Sequence, residues 1–355
     1  MDGVAAGRSC DVRVAGLVGG WWFVVGRAWR DGLRRVTAAP AVVIGVYVIT
    51  LLAALPLALS LRDALQDHLG SSLAAGEAAA DGVNYDWWQE FSGQATGIGT
   101  TFTPTIIGFA TTLDSVSGLL DRRTLSTPIA STLGVYLAAW MFVTGGILDR
   151  YARGRRVGAF AFFAASGTFF FRFIRLGIAA ALTYWFLFTY VHEWLFAKWY
   201  VNVTRDIPLE RTVFFWRVLM YAIFIALVAA ATVAFDYAKV RAVVEDRRSM
   251  TGALISALRF IVRNPRRVIG LYAINAVLFL AVIAVWGLIN QGAGGAGIWM
   301  WTGVAVSQGY ILARLVVKLQ VLASETALFQ RSLAHWGYSA VPIAARPEPP
   351  IVETL

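Results

Sequence analysis

Residues 41–61 read AVVIGVYVITLLAALPLALSL, without a single charge. A helix rises ~1.5 Å per residue and a bilayer's hydrocarbon is ~30 Å thick, so about 20 apolar residues cross it. This stretch has the length and purity of a membrane span, and basic residues (Arg34, Arg35) stand just before it. Five more segments read the same way: 129–148, 176–196, 213–235, 268–289 and 298–317. The whole chain agrees, since 58% of its 355 residues are hydrophobic, only 15% are charged and mean hydropathy is +0.63. Soluble domains carry about 25% charged residues. The fold expected is all-α: a polytopic membrane helical bundle of about six transmembrane helices arranged as three hairpins.

Charge orients the bundle. Lys and Arg gather on the cytoplasmic side of membrane proteins. Residues 1–40, the 149–175 and 236–267 connections and everything from Arg314 onward hold 24 of the 31 Lys and Arg, with 10 of the 21 Asp and Glu. Both termini are therefore expected in the cytosol, with the basic face against anionic lipid headgroups. The net charge of +10 is accounted for without nucleic acid. Cys10 is the only cysteine, which excludes an internal disulfide and a cysteine-rich metal site.

Between the spans the pattern changes. In 22–36, Trp22, Val25, Trp29, Leu33 and Val36 recur at helical steps opposite Arg27, Arg30, Asp31, Arg34 and Arg35. That is an amphipathic helix suited to the interface plane. Phe160–Ile174 and Leu254–Val262 repeat the pattern, so each hairpin is expected to follow a cytosolic interfacial helix. The exits also look alike: Asp149-Arg-Tyr-Ala-Arg153, Asp236-Tyr-Ala-Lys-Val-Arg241, and Tyr310-Ile-Leu-Ala-Arg314 without an acid. Either one unit occurs three times, or three unrelated helices end in common interface residues. The domain plan is a cytosolic 1–40, a membrane domain over 41–335 with an extracytoplasmic loop at 62–128, and a disordered tail at 336–355. In the loop, Leu65, Leu69 and Leu73 extend the first span and Asn84–Phe91 forms a turn. The stretch from Ile106 to Leu120, begun near Pro104, caps the outer leaflet, and Gln291–Gly297 closes the last hairpin.

Polar residues within the spans are the candidates for function. They are Arg217, with Glu193, Asp206 or Glu210 as partner; Asp236, beside Lys239 and Arg241; and Asn275, Ser307 and Gln308, suited to interhelical hydrogen bonds. An outer aromatic cluster, Tyr85, Trp87, Trp88 and Phe91, is suited to interface anchoring or to gripping a lipid, quinone or sugar. His192-Glu193 opens like a zinc-protease helix, but no second His stands at the required spacing. Ala305-Val-Ser-Gln-Gly309 echoes a nucleophile elbow but lies inside a span, and no phosphate-cradling Gly-Lys-Ser/Thr loop occurs. No enzyme and no cofactor is expected.

The residues Asp236-Tyr-Ala-Lys-Val-Arg241, Glu245-Asp-Arg-Arg-Ser249, Ala257-Leu-Arg-Phe260 and Arg263-Asn-Pro265 resemble a pattern of uncharacterised bacterial six-span membrane proteins. The pattern is similar to the membrane domain that accompanies some glycerophosphodiester phosphodiesterases and to the YciC-like family. The resemblance covers under a third of the chain. It implies a bacterial inner-membrane bundle and carries over no active-site residue. A permease-like or lipid-handling protein is the functional expectation. The alternative is a scaffold that meets a protein partner or a second copy of itself.

Overall fold

A computed structural model of the protein describes residues 8–71, 84–103, 109–154, 157–289 and 298–335, with side chains of the first helix from 20 onward. The expected turn at 291–297, Pro104 and the tail 336–355 lie outside the described residues. Ten helices stand among those described: α1 (Arg8–Thr37), α2 (Pro40–Ser71), α3 (Tyr85–Gln94), α4 (Phe109–Leu120), α5 (Thr127–Arg153), α6 (Ala159–Thr204), α7 (Glu210–Val244), α8 (Met250–Arg263), α9 (Pro265–Ile289) and α10 (Ile298–His335). Among these residues no strand occurs.

Five helices, α2, α5, α6, α7 and α9, are long and apolar enough to cross a membrane. Their large apolar side chains point outward: Leu52, Val135, Ile178, Phe214 and Val277 are all exposed. Water is a poor solvent for such a surface and lipid a good one. The expected sixth span, 298–317, lies on α10, which is not among the five. Ser307, Gln308 and Arg314 dilute its apolar run.

Proline decides where the amphipathic helices break from the spans. Pro40 opens α2 and Pro265 opens α9, so α1 and α8 end just before them. Proline lacks the N–H that would continue a helix and disfavours helical backbone in the residue before it. No proline stands between Arg172 and Leu176. There the expected interfacial helix 160–174 does not separate from its span: α6 runs unbroken from Ala159 to Thr204. Its second half loosens to π-helical turns over Leu187–Val191 and Trp194–Trp199.

The amphipathic helices dock on the ends of other helices. α1 packs along the second half of α10, the first half of α6 along α5, and α8 along the end of α7. Small residues permit the approach, as in membrane bundles generally. A Cβ on Gly32 would lie 2.8 Å from the Ser324 backbone nitrogen, and one on Gly146 would lie 2.8 Å from the Phe162 carbonyl oxygen. On α8 the buried Ala253 and Ala257 play this part.

α10 is the hub, touching α1, α2, α5, α7 and α9. Past Arg314, Leu319, Gln320, Ala323, Ser324 and Glu325 are fully buried in the core. Other helices meet some of their polar groups: the Gln320 amide donates to the Trp29 carbonyl (2.9 Å) and the Ser324 hydroxyl accepts from Asn275 (3.1 Å), while further on Arg331 pairs with Asp31 (2.5 Å).

At the opposite end, Asn84–Phe91 is not a turn. Asn84 accepts from the backbone N–H of Asp86 (2.9 Å) and Trp87 (3.2 Å), an N-cap that starts helix α3. α2 continues through Leu65 and Leu69 to Ser71, and α4 leans on α9 with Phe109 against Gly287.

Candidate functional site

A cavity of about 770 Å³ opens between α2, α5, α9 and α10. Its walls are apolar for most of their length: Ala53 and Leu57 from α2, Ile129 and Leu133 from α5, Phe279 from α9. At its basic end the chemistry changes, with Arg314 and Lys318 entering from α10 and Tyr136 and Tyr272 from facing helices. Both cations are accessible on this side. The Lys318 ammonium rests 3.5 Å from the centre of the Trp140 ring and 5.7 Å from that of Tyr136. A cation over aromatic faces gains electrostatic attraction and keeps its donors available. Along α10 the lining runs from Ile311 to Val321, roughly 15 Å at helical rise. The result is a long apolar slot with a positive end.

Behind its wall lies a buried polar cluster. The Tyr272 ring lines the slot, while its hydroxyl donates to Glu325 and stands 3.5 Å from an Asp236 oxygen. Asp236 pairs with Lys239 at 2.8 Å. Asn275, also on the lining, donates to Ser324 at 3.1 Å. Glu325 is 0% exposed. It stands two turns beyond the apolar stretch that ends at Val317. Burial, and then the charge of Asp236, push its carboxyl well above the usual carboxylate range, against the pull of the Tyr272 hydrogen bond and of Lys239. Its second oxygen, the Tyr237 hydroxyl and the Asn275 carbonyl oxygen have no hydrogen-bond partner among the described residues. Each such atom costs roughly 1–3 kcal/mol when buried. One proton on Glu325 removes the buried charge and turns an acceptor into a donor.

The residues singled out from sequence do not form one site. Asp236 and Asn275 join this cluster. Gln308 accepts from the Tyr47 hydroxyl of α2 at 2.8 Å, and Ser307 sits half-buried beside it. Arg217 belongs to the other end of the molecule. Its guanidinium lies 5.9 Å from the Tyr221 ring, whose hydroxyl donates to Asp121 at 2.5 Å. The network thus runs to Asp121 on the loop after α4 rather than to the expected Glu193, Asp206 or Glu210. In that exposed loop the hydrogen bonds from Tyr221 and Ser117 hold the Asp121 carboxyl below its ordinary pKa.

Within the aromatic cluster, Trp87 and Phe91 are buried against His68 and Phe102, Trp88 donates to the Phe102 carbonyl (3.2 Å), and Tyr85 is exposed. The cluster anchors α3 on α2. Sequence reasoning missed Lys318, Tyr136, Tyr272 and Glu325. The available signal was on α10, where Lys318 and Glu325 stand two turns apart on one face and Gln320 and Ser324 are buried on another. Among the described residues no group of three His, Cys, Asp or Glu is placed to hold a metal. Family models, curated proteins and solved structures give no match to the chain, so the site is read from its own residues.

Proposed function

We propose that the chain is a lipid- or amphiphile-handling protein of a bacterial cytoplasmic membrane. On this reading α2, α5, α6, α7, α9 and α10 form six spans as three hairpins, with both termini cytosolic. The charge split along the sequence supports that orientation, as does the resemblance to six-span bacterial proteins. The order in which α1, α6 and α8 dock on the ends of α10, α5 and α7 supports a threefold repeat. Each amphipathic helix lies on the exit of the span before it, and the first closes on the last.

The observation that carries the function is the slot. An apolar channel ending in Arg314 and Lys318 suits an amphiphile with one hydrocarbon tail along Ala53, Leu133 and Phe279 and an anionic head at the ammonium. The α10 cations then lie at the inner headgroup level, where anionic lipids are found. Tyr272 links the slot to Glu325, so occupancy and protonation act on one hydroxyl. Photoactivatable lipids test this directly. An anionic lipid with a diazirine in its tail should label Leu133 and Phe279, and Lys318→Gln should lower that labelling severalfold. Equal labelling by a zwitterionic analogue, or labelling spread over α6 and α7, would refute it.

A further inference from the structure

A second cavity, about 630 Å³, opens at the basic end further along α10, between the end of α7, α8 and the last turns of α10. Its floor is aromatic: Phe260 and Phe329 meet edge to face at 5.3 Å. Four arginines line it, Arg241, Arg247, Arg259 and Arg263, with Glu245 as the one carboxylate among the described residues. Glu245 is nearly buried and clamps two of them, accepting from Arg241 at 3.0 Å and Arg247 at 2.5 Å. Arg241 is fixed further by donating to the Ser256 carbonyl on α8 (2.8 Å) and by lying 5.7 Å from the Phe329 ring centre. Arg259 and Arg263 stand one turn apart on the same face of α8, and Arg259 makes no ion pair among the described residues.

Among the described residues Arg241, Arg247 and Arg259 share one carboxylate, which leaves an excess of positive charge in a concave site. Like charges so arranged repel unless an anion joins them. Guanidinium forks match the oxygens of phosphate in paired hydrogen bonds, and phosphate esters are the anions that arginine clusters recognise best. The aromatic floor adds room for an organic portion beside the phosphate. We propose that this cavity binds a phosphomonoester, with Arg259 and Arg263 on its dianion and Arg241, held by Glu245, at its back. The site is separate from the α2–α5 slot, and neither Lys318 nor Arg314 lines it.

Two sources share this chemistry, a lipid headgroup such as phosphatidate and a soluble sugar or glycerol phosphate. The test uses the full chain in phosphatidylcholine nanodiscs. One arm adds phosphatidate to the bilayer, one adds glycerol 3-phosphate to the buffer, and one adds phosphatidylglycerol, a phosphodiester. The readout is the thermal unfolding midpoint as a function of ligand concentration. The proposal expects saturable stabilisation in the phosphatidate or the glycerol 3-phosphate arm, and the arm that responds names the source. Arg259→Gln with Arg263→Gln should weaken that binding by roughly tenfold per arginine. Arg266→Gln with Arg267→Gln, which removes equal charge from the start of α9 outside the cavity, should leave it unchanged. No saturable stabilisation in either phosphomonoester arm, an equal response to phosphatidylglycerol, or equal weakening by both double variants would overturn the proposal.

Discussion

Replacing Gly32 by alanine asks whether α1 belongs to the folded core. On helix propensity alone the change should help, because glycine inside a helix costs roughly 0.5–1 kcal/mol relative to alanine. Packing opposes it. The new methyl carbon would stand 2.8 Å from the backbone nitrogen and 2.9 Å from the Cα of Ser324, both main-chain atoms of a fully buried turn of α10. Side-chain rotation cannot relieve such a contact, so one helix must move. Overpacking of this kind costs about 1–3 kcal/mol, and displacement also strains the Gln320–Trp29 bond. The expected net loss is about 1–2 kcal/mol. Gly26 is the internal control, being on the same helix with nothing within 4 Å of its Cβ position. Gly26→Ala should gain about 0.5–1 kcal/mol. Unfolding in mixed micelles with increasing denaturing detergent measures both. If Gly32→Ala is as stable as Gly26→Ala, α1 does not pack against α10 and the architecture is wrong.

Further expectations concern the polar core and the outer network. Glu325 has a folded pKa above its unfolded value, so the protonated form is the one favoured by folding. Its contribution is complete below about pH 4 and is lost as pH rises towards the folded value. Glu325→Gln should therefore flatten the decline of the unfolding midpoint between pH 5 and pH 8, roughly the range of ordinary buffers, and a variant that declines as steeply as the parent would contradict the assignment. Tyr47→Phe removes the one side-chain bond from α2 to Gln308 and should cost about 0.6 kcal/mol, the usual worth of such bonds in membranes, by the same detergent titration. Asp121 has a lowered folded pKa, so its bonds to Tyr221 and Ser117 stabilise above about pH 4 and fail as pH falls below that. Asp121→Asn should accordingly abolish any acid-induced rise in proteolysis of the α4–α5 loop.

Much of the fold is legible in the sequence because lipid-facing helices advertise themselves locally. Ala41–Leu61 needs no partner to be recognised. The heptad-like spacing of Trp22, Val25 and Trp29 likewise reveals a helix with two faces, but not what covers the apolar one. That depends on Gly32 meeting Ser324, nearly three hundred residues away. α10 is the harder case. Gln320, Ser324 and Glu325 have the polarity of a solvated helix, and only contacts with α1, α7 and α9 distinguish a buried polar core from a wet surface. The separation of α1 and α8 from their spans is written in Pro40 and Pro265. The continuity of α6 is written in the lack of such a residue near Leu176, a signal easily overlooked behind Arg172 and Arg175. Of the site, Asp236 and Asn275 stand out as polar residues at or inside spans. Lys318 does not, since a lysine after an apolar run is what any membrane helix end would show.

The most direct measurement is of what the purified protein retains. After detergent extraction and thorough washing, mass spectrometry of intact complexes should find the wild-type chain holding an anionic lipid at near-equal stoichiometry, and Arg314→Gln with Lys318→Gln should release it while the protein stays folded. Retention of the same lipid by both forms, or a wild-type protein that carries only zwitterionic lipid, would contradict the account.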